Sequence, residues 1–294
     1  MIVQTIAARL AQRLKIYGQL MRVDKPIGTL LLLWPTLWAL WFAAGGTPPM
    51  SILCIFIVGT FLMRAAGCVI NDYADQDVDP HVERTRNRPF VRQAVSNKEA
   101  LFLAAGLATL SFVLILPLNA LTIKLSVIAL FIAASYPYTK RFLSLPQAYL
   151  GIAFSFGIPM SFSALCNAIP GYAWLMTLAT LFWVVAYDTI YAMVDKPDDL
   201  KIGIKTSAIT FGSYDITLIF FCHAIFLILM LWIGYQYLMQ MSYNLGVAVA
   251  ACCILKQYRD IKGRDRNRCF KAFLDNNRVG AAIFVGILLD SWLR

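Results

Sequence analysis

Nine apolar stretches, each near the length a helix needs to cross a bilayer, make up most of this chain. They lie at 27–45, 50–71, 99–117, 119–137, 146–166, 171–192, 214–236, 241–258 and 277–293, some reaching full length only with their flanks. A helix takes roughly 20 residues to span the hydrocarbon core. The breaks carry turn chemistry: Gly45-Gly46-Thr47-Pro48-Pro49, Pro117-Leu118-Asn119 and Asn167-Ala168-Ile169-Pro170-Gly171. At Pro117 a kinked pair of helices would give the same pattern as two separate spans. Composition narrows the class further. Of 294 residues, 60% are apolar or aromatic and 14% are charged, where soluble domains carry about 25% charged residues. A soluble fold of this size cannot bury so much apolar surface. That excludes a cytosolic enzyme, a disordered chain and a disulfide-stapled secreted scaffold, and leaves an all-α, polytopic membrane protein.

Charge placement orients the spans, because Lys and Arg gather in cytoplasmic loops. Here 23 of 26 lie in the N-terminal segment or in the loops after the second, fourth, sixth and eighth spans; the exceptions are Arg64, Lys124 and Arg294. The loops at 45–49, 117–119, 167–170 and 237–241 carry no charge. This pattern puts the N-terminus and the alternate, charged loops in the cytoplasm and the C-terminus outside, with an odd number of spans. It also assigns the net charge of +10 to a membrane surface and not to nucleic acid. Residues 1–24, with Arg9, Arg13, Lys15 and Arg22 among apolar positions, read as an amphipathic surface segment. No small-residue cleavage site follows the first apolar run, so no removed signal peptide is expected. Cys54, Cys68, Cys166, Cys222, Cys252 and Cys253 sit within apolar runs and form no CxxC pair, which argues against a metal cluster or a disulfide framework.

The acidic residues break the topological pattern. Of 16 Asp and Glu, eight form two clusters, Asp72, Asp75, Asp77 and Asp79, then Asp188, Asp195, Asp198 and Asp199. Both sit where an even-numbered span meets the cytoplasm, and ionisable groups at that depth are functional candidates. Asn71, Asp75 and Asp79 recur every fourth residue, and so do Tyr191, Asp195 and Asp199. On a helix such positions share one face. Each cluster therefore presents a polar residue and two carboxylates in a stripe, about 120 residues apart, which suggests an internal duplication. Packed carboxylates repel unless a cation holds them, and magnesium takes one or two carboxylates completed by phosphate and water oxygens. Two such stripes suit a diphosphate bridged between two Mg²⁺.

Cations accompany both clusters. Arg84, Arg86 and Arg88 follow the first, and Lys196, Lys201 and Lys205 attend the second; each set could neutralise a diphosphate or serve as positive-inside anchoring. Lys140 and Arg141 end the fourth span beside Tyr136 and Tyr138, and Arg64 lies two turns below Asn71 on the same face. His223 reads as a hydrogen-bonded core residue, His81 as a loop residue, and Trp34, Trp38 and Trp41 as packing or a prenyl groove. A cation transporter is the reading from another class. Against it, the acids cluster at one membrane face, whereas a path needs polar groups at several depths.

Several motifs resemble the UbiA-type intramembrane prenyltransferases, most closely the branch acting on 4-hydroxybenzoate. They are Arg22-Val23-Asp24-Lys25-Pro26-Ile27-Gly28, Gly67 to Asp75 continuing to Asp79, and Arg84-Thr85-Arg86-Asn87-Arg88-Pro89. Tyr136-Pro137-Tyr138-Thr139-Lys140-Arg141, Tyr187-Asp188-Thr189-Ile190-Tyr191-Ala192-Met193 through Asp199, and Gly203 to Ala208 complete the set. The resemblance implies a bundle of about nine helices around a central cavity open to lipid. Residues 25–294 would form one domain of two pseudo-repeats, with motif loops at about 71–97 and 191–212. It implies magnesium-dependent transfer from a polyprenyl diphosphate to 4-hydroxybenzoate in a bacterial inner membrane. Related acceptors within the family are homogentisate, dihydroxynaphthoate and haem. Asp75 and Asp79, with Asn71 and Asp72, would hold one metal ion, and Asp195 and Asp199 the other. Asn71, Arg64, Lys140, Arg141, Tyr191, Arg84, Arg88 and Lys201 would bind substrate, and Asp195 or Asp188 would take the ring proton. Two departures stand out. Lys196-Pro197 interrupts the second motif, predicting a bend between Asp195 and Asp199, and Gln76 replaces a commonly basic position.

Overall fold

The computed structural model describes residues 2–293. In chain order the helices are α1 (Ile2–Leu20), α2 (Ile27–Ala44), α3 (Met50–Ala74), α4 (Asn97–Ile115), α5 (Ala120–Thr139), α6 (Pro146–Ser155), α7 (Gly157–Cys166), α8 (Gly171–Ile202), α9 (Ser207–Thr210), α10 (Asp215–Gln236), α11 (Met241–Ile261) and α12 (Arg266–Leu293). Short 3₁₀ turns occupy Asp79–His81 and Gly212–Tyr214. Among the described residues, eight segments, with α6 and α7 counted together, are long and apolar enough to cross a membrane. The ninth expected span is α11, which has the length, 21 residues, but carries Lys256, Arg259 and Asp260 in its last turns. The chain is an integral, multi-pass membrane protein.

Local chemistry explains the boundaries. Ser96 and Glu99 close a capping box at the start of α4. The Asn119 side chain accepts from Thr122 N to cap α5, so the Pro117 break is a true turn between two helices. The fifth span, in contrast, is divided between α6 and α7. Pro159 has no N–H to give the Ser155 carbonyl four residues back, and the helix breaks there.

Lipid offers no hydrophobic drive for helix association, so close approach and hydrogen bonds carry the packing. Gly246 and Gly286 let α11 and α12 cross almost backbone to backbone; a Cβ on Gly246 would lie 2.7 Å from the Ala282 carbonyl. Trp38, Trp183 and Phe226 form the aromatic centre, with Trp183 stacked on Phe226 at 5.5 Å between ring centroids. The indole N–H of Trp38 donates to Gly280 O, that of Trp183 to Asn276 Oδ1 and that of Trp34 to Asn277 Oδ1, whereas that of Trp41 is buried without a partner. The tryptophans at 34, 38 and 41 are thus packing residues of the α2 interface.

The two ends of the bundle differ in kind. At one end, ion pairs tie the N-terminal region, the 79–93 segment, α8, α10 and α12 together, among them Arg22–Asp72, Arg84–Asp195, Arg266–Asp198 and Arg264–Asp215. At the other end, Asn119 donates to Ser163 O, and Phe42, Tyr172 and Tyr237 pack edge to face. Asp72, Asp75, Asp79, Asp195, Asp198 and Asp215 pair with cations at the charged end. Asp290 accepts from Gln240 N and Ser242 Oγ at the start of α11, so no acidic track continues across the membrane as a cation path would need.

Candidate active site

The first stripe is built where α3 ends. Asp75 is the C-cap residue, and the i to i+4 turns continue beyond the helix: Asp75 N donates to Asn71 O at 3.0 Å and Asp79 N to Asp75 O at 2.8 Å. The fourfold spacing is therefore kept although the helix is not. Asn71 Nδ2 donates to Asp75 Oδ2 at 3.1 Å. Arg141, ending the α5 turn, donates to the Ala74 carbonyl at 2.7 Å, satisfying an orphan acceptor of α3 with a positive charge at its C-terminal end.

The second stripe lies on a continuous helix. Where a motif loop was expected from about 191, α8 runs without interruption through Pro197 to Ile202 and is closed by Gly203 at φ 74°. The proline removes one hydrogen bond, and tertiary ion pairs flank it on both sides: Asp195 on Arg84 and Asp198 on Arg266. Asp188, Tyr191, Asp195 and Asp199 consequently share one face over three turns.

Cations stand between the stripes. Lys140 Nζ lies 2.5 Å from Asp75 Oδ2 and also acts electrostatically on Asp199. Arg84 reaches both oxygens of Asp195, at 2.6 to 3.2 Å, covers the Tyr191 ring at 4.6 Å, and feels Asp79 across the gap. Burial works against the charge of Arg84 and of Arg88, yet their anionic neighbours hold both guanidiniums firmly protonated. Arg88 bridges Asp79, at 2.8 and 2.9 Å, and Asp72, at 3.0 Å. Burial raises the Asp79 carboxyl to about 6; Arg88 opposes the rise, while Asp75 and Asp72 add to it.

Below the stripes lies a polar floor. Arg64 contacts Cys68 Sγ, and its Nε is buried without a partner, as is the Tyr187 hydroxyl. Arg64, Tyr136, Tyr187 and Asp188 are mutual electrostatic neighbours, and Asp188 hydrogen-bonds Gln147.

Not every expected residue joins this group. Asp72 is 1% exposed and both its oxygens are taken by Arg22, at 2.7 and 2.9 Å, and Arg88. It sits off the Asn71–Asp75–Asp79 stripe, so it anchors arginines where metal ligation was expected. Lys201 is exposed, with Asp198 alone at 3.8 Å. His81 is an exposed loop residue bonded to Asp77 O, and His223 is buried beside Asn276. Gln147, which holds Asp188 and caps Ser207 N at 2.9 Å, carries no motif that sequence reading could single out.

The donor set fits a hard divalent cation. Asp75 Oδ1 is buried and unpaired, and the Asp199 side chain makes no hydrogen bond or ion pair among the described residues. Each stripe thus keeps oxygen unspent. No three His, Cys, Asp or Glu converge on one point among the described residues.

Two aspartate stripes thus lie on either side of a set of cations at one end of a helical membrane bundle. The model of the UbiA prenyltransferase family matches residues 32–284, and the chain belongs to that family. It is similar to the 4-hydroxybenzoate octaprenyltransferase of Azoarcus sp. (strain BH72), 63% identical over 281 residues, covering 96% of this chain and 98% of the relative. The enzyme of the same name from Nitrosospira multiformis is 62% identical over 285 residues, covering 97% and 98%. Among solved structures, the apo UbiA homolog from Aeropyrum pernix K1 superposes with a TM-score of 0.80 at 25% identity, covering 89% of this chain and 97% of its own. A UbiA homolog from Archaeoglobus fulgidus bound to GPP and Mg²⁺ shares the fold, with a TM-score of 0.70 at 19% identity over 92% and 99%.

Proposed function

We propose that this protein transfers a polyprenyl group from a polyprenyl diphosphate to the ring carbon ortho to the hydroxyl of 4-hydroxybenzoate. The reaction is magnesium-dependent, belongs to ubiquinone biosynthesis, and takes place in a bacterial inner membrane with the charged end of the bundle cytoplasmic. The carrying observation is the pair of opposed carboxylate stripes with three cations between them and an unspent oxygen on each. The near-full-length relatives named for this acceptor support the choice of substrate.

Breaking the allylic C–O bond is the hard step, since the electron pair leaves with the diphosphate and charge stabilisation there dominates. Asp75 and Asp79, with Asn71, would hold one magnesium ion and Asp195 and Asp199 the other, supplying Lewis-acid charge to the leaving group. Lys140, Arg84 and Arg88 donate to the diphosphate oxygens. Arg64, half-buried with an unpaired Nε among Tyr136 and Tyr187, takes the acceptor carboxylate, and Arg141 positions the Asp75 turn. The ring π electrons form the new C–C bond and the ring proton leaves. Asp188 takes that proton, because both Asp195 oxygens are engaged by Arg84 whereas Asp188 has Gln147 as its partner. The reaction requires that the allylic carbon meet the ring before water captures it.

The test is a panel of labelled acceptors given to membranes carrying the chain, with polyprenyl diphosphate and magnesium. Ring-prenylated 4-hydroxybenzoate should be the main product. Preferential consumption of homogentisate, dihydroxynaphthoate or protohaem, or no consumption at all, would refute the assignment.

A further inference from the structure

Asp72 is the most deeply buried acid of the first cluster, at 1% exposure, yet it lies outside the stripe that the reaction uses. Its two oxygens carry two guanidiniums. Arg22 Nη2 donates to both, at 2.7 and 2.9 Å, and Arg88 Nη1 approaches Oδ1 at 3.0 Å while bonding Asp79 at 2.8 and 2.9 Å. Four groups from three parts of the chain therefore stand in a row: Arg22, Asp72, Arg88, Asp79.

Arg22 is held in that row by its backbone. It lies in the turn after α1 at φ 55°, the left-handed region that side-chain-bearing residues avoid. Its Nη1 also donates to Gln19 O at 2.6 Å. Next to it, Leu20 is fully buried against Val69 of α3. The turn is thereby pinned to the helix that carries Asp72, the acid with which Arg22 pairs.

We propose that Arg22 is a positioning residue: by neutralising Asp72 it leaves Arg88 free to face Asp79 and the diphosphate. A buried carboxylate stripped of one partner demands full compensation from those remaining. Without Arg22, Arg88 is the cation within reach of Asp72 and is drawn onto it. Asp79 then loses its partner and the donor site loses a guanidinium. Arg22 itself touches neither substrate nor reacting atoms. The role rests on the diphosphate-binding assignment made above.

The experiment measures binding of inorganic diphosphate, with magnesium, to the purified full-length protein by calorimetry, beside donor saturation kinetics. Arg22→Gln should weaken diphosphate binding and raise the donor KM by about tenfold, the scale of coupling between charged residues in direct contact. The KM for the aromatic acceptor should hold. The decisive variant is Arg22→Gln combined with Asp72→Asn, which removes the competing anion. It should return diphosphate binding to within about threefold of wild type, because Arg88 again has Asp79 alone to face. A double variant as weak as Arg22→Gln, or weaker, overturns the proposal and makes the pair a structural clasp. Undiminished binding by Arg22→Gln overturns it too. Failure of the wild-type protein to bind diphosphate would instead sink the functional assignment on which the role rests.

Discussion

Replacing Arg84 by Ala should separate the metal-free state from the magnesium-loaded one. In the structure the guanidinium makes three close contacts with the Asp195 carboxylate, at 2.6, 3.2 and 3.2 Å, with side-chain exposures of 28% and 14%. A charge-assisted bond of this kind contributes about 1.5–3 kcal/mol, and the cation–π contact with Tyr191 about 0.5–1 kcal/mol more. Without Arg84, Asp195 faces Asp188 and Asp199 with no cation in contact. The metal-free variant should therefore lose about 2–3 kcal/mol of stability, most of it the bond to Asp195. Magnesium should restore much of that loss, since ligand binding to the folded state stabilises it by mass action and no guanidinium now competes for Asp195. Turnover moves the other way. The diphosphate loses a donor, and kcat should fall on the order of tenfold to a hundredfold at about 1.4 kcal/mol per decade. Thermal unfolding of the detergent-purified protein, with chelator and with magnesium, reads the first effect, and donor saturation curves read the second. Equal destabilisation in both conditions with unchanged turnover would show that Arg84 is a cytoplasmic anchor and nothing more.

Three further outcomes follow from particular contacts. Asp79, with its carboxyl raised to about 6, retains a proton in the folded state above its ordinary value of 3.8. The folded protein binds more protons than the unfolded one in that window, so metal-free stability falls as pH rises through it. Magnesium needs the carboxylate, and its stabilising effect should be larger at about pH 7 than at about pH 5; equal effects in melts at both would contradict this. Gly28→Ala would place a Cβ 2.6 Å from Arg64 Nη2. The movable guanidinium should yield, raising the acceptor KM with little change in melting temperature, and a large melting shift without a KM change would refute it. Asp290→Ala removes the acceptor for Gln240 N and Ser242 Oγ and should cost about 1–3 kcal/mol of stability while activity per folded molecule holds. Lost turnover in fully folded protein would mean Asp290 reaches the site.

What was legible from sequence was whatever local pattern enforces. Eight of the nine expected spans and the fourfold spacing of Asp75 and Asp79 and of Asp195 and Asp199 survive folding among the described residues, because apolar length and helical geometry impose them directly. What was hidden depends on partners far along the chain. Pro197 argued for a break in the second stripe, but α8 continues through it, flanked by Asp195 on Arg84, 111 residues upstream, and by Asp198 on Arg266, 68 residues downstream. It is the first stripe, with no proline inside it, that leaves the helix. Asp72 looked like a third metal ligand until Arg22, 50 residues upstream, claimed it. The fifth span splits at Phe156, three residues before Pro159, whereas α2 runs unbroken through Pro35, so a proline in the sequence does not by itself tell whether a span breaks. Gln147, Asp290 and Arg22 owe their roles to tertiary contacts that periodicity does not encode.

The central claim is that the two stripes act together on a magnesium-bound diphosphate. Its most direct test is a magnesium titration of product formation by the purified protein in lipid nanodiscs, supplied with polyprenyl diphosphate and ring-labelled 4-hydroxybenzoate. Wild-type protein should form ring-prenylated acid only with magnesium present. Asp75→Asn and Asp199→Asn, one from each stripe, should each lower the rate on the order of 10²–10³-fold at saturating metal. Product formed at the full rate in chelator, or by either variant, would contradict the account.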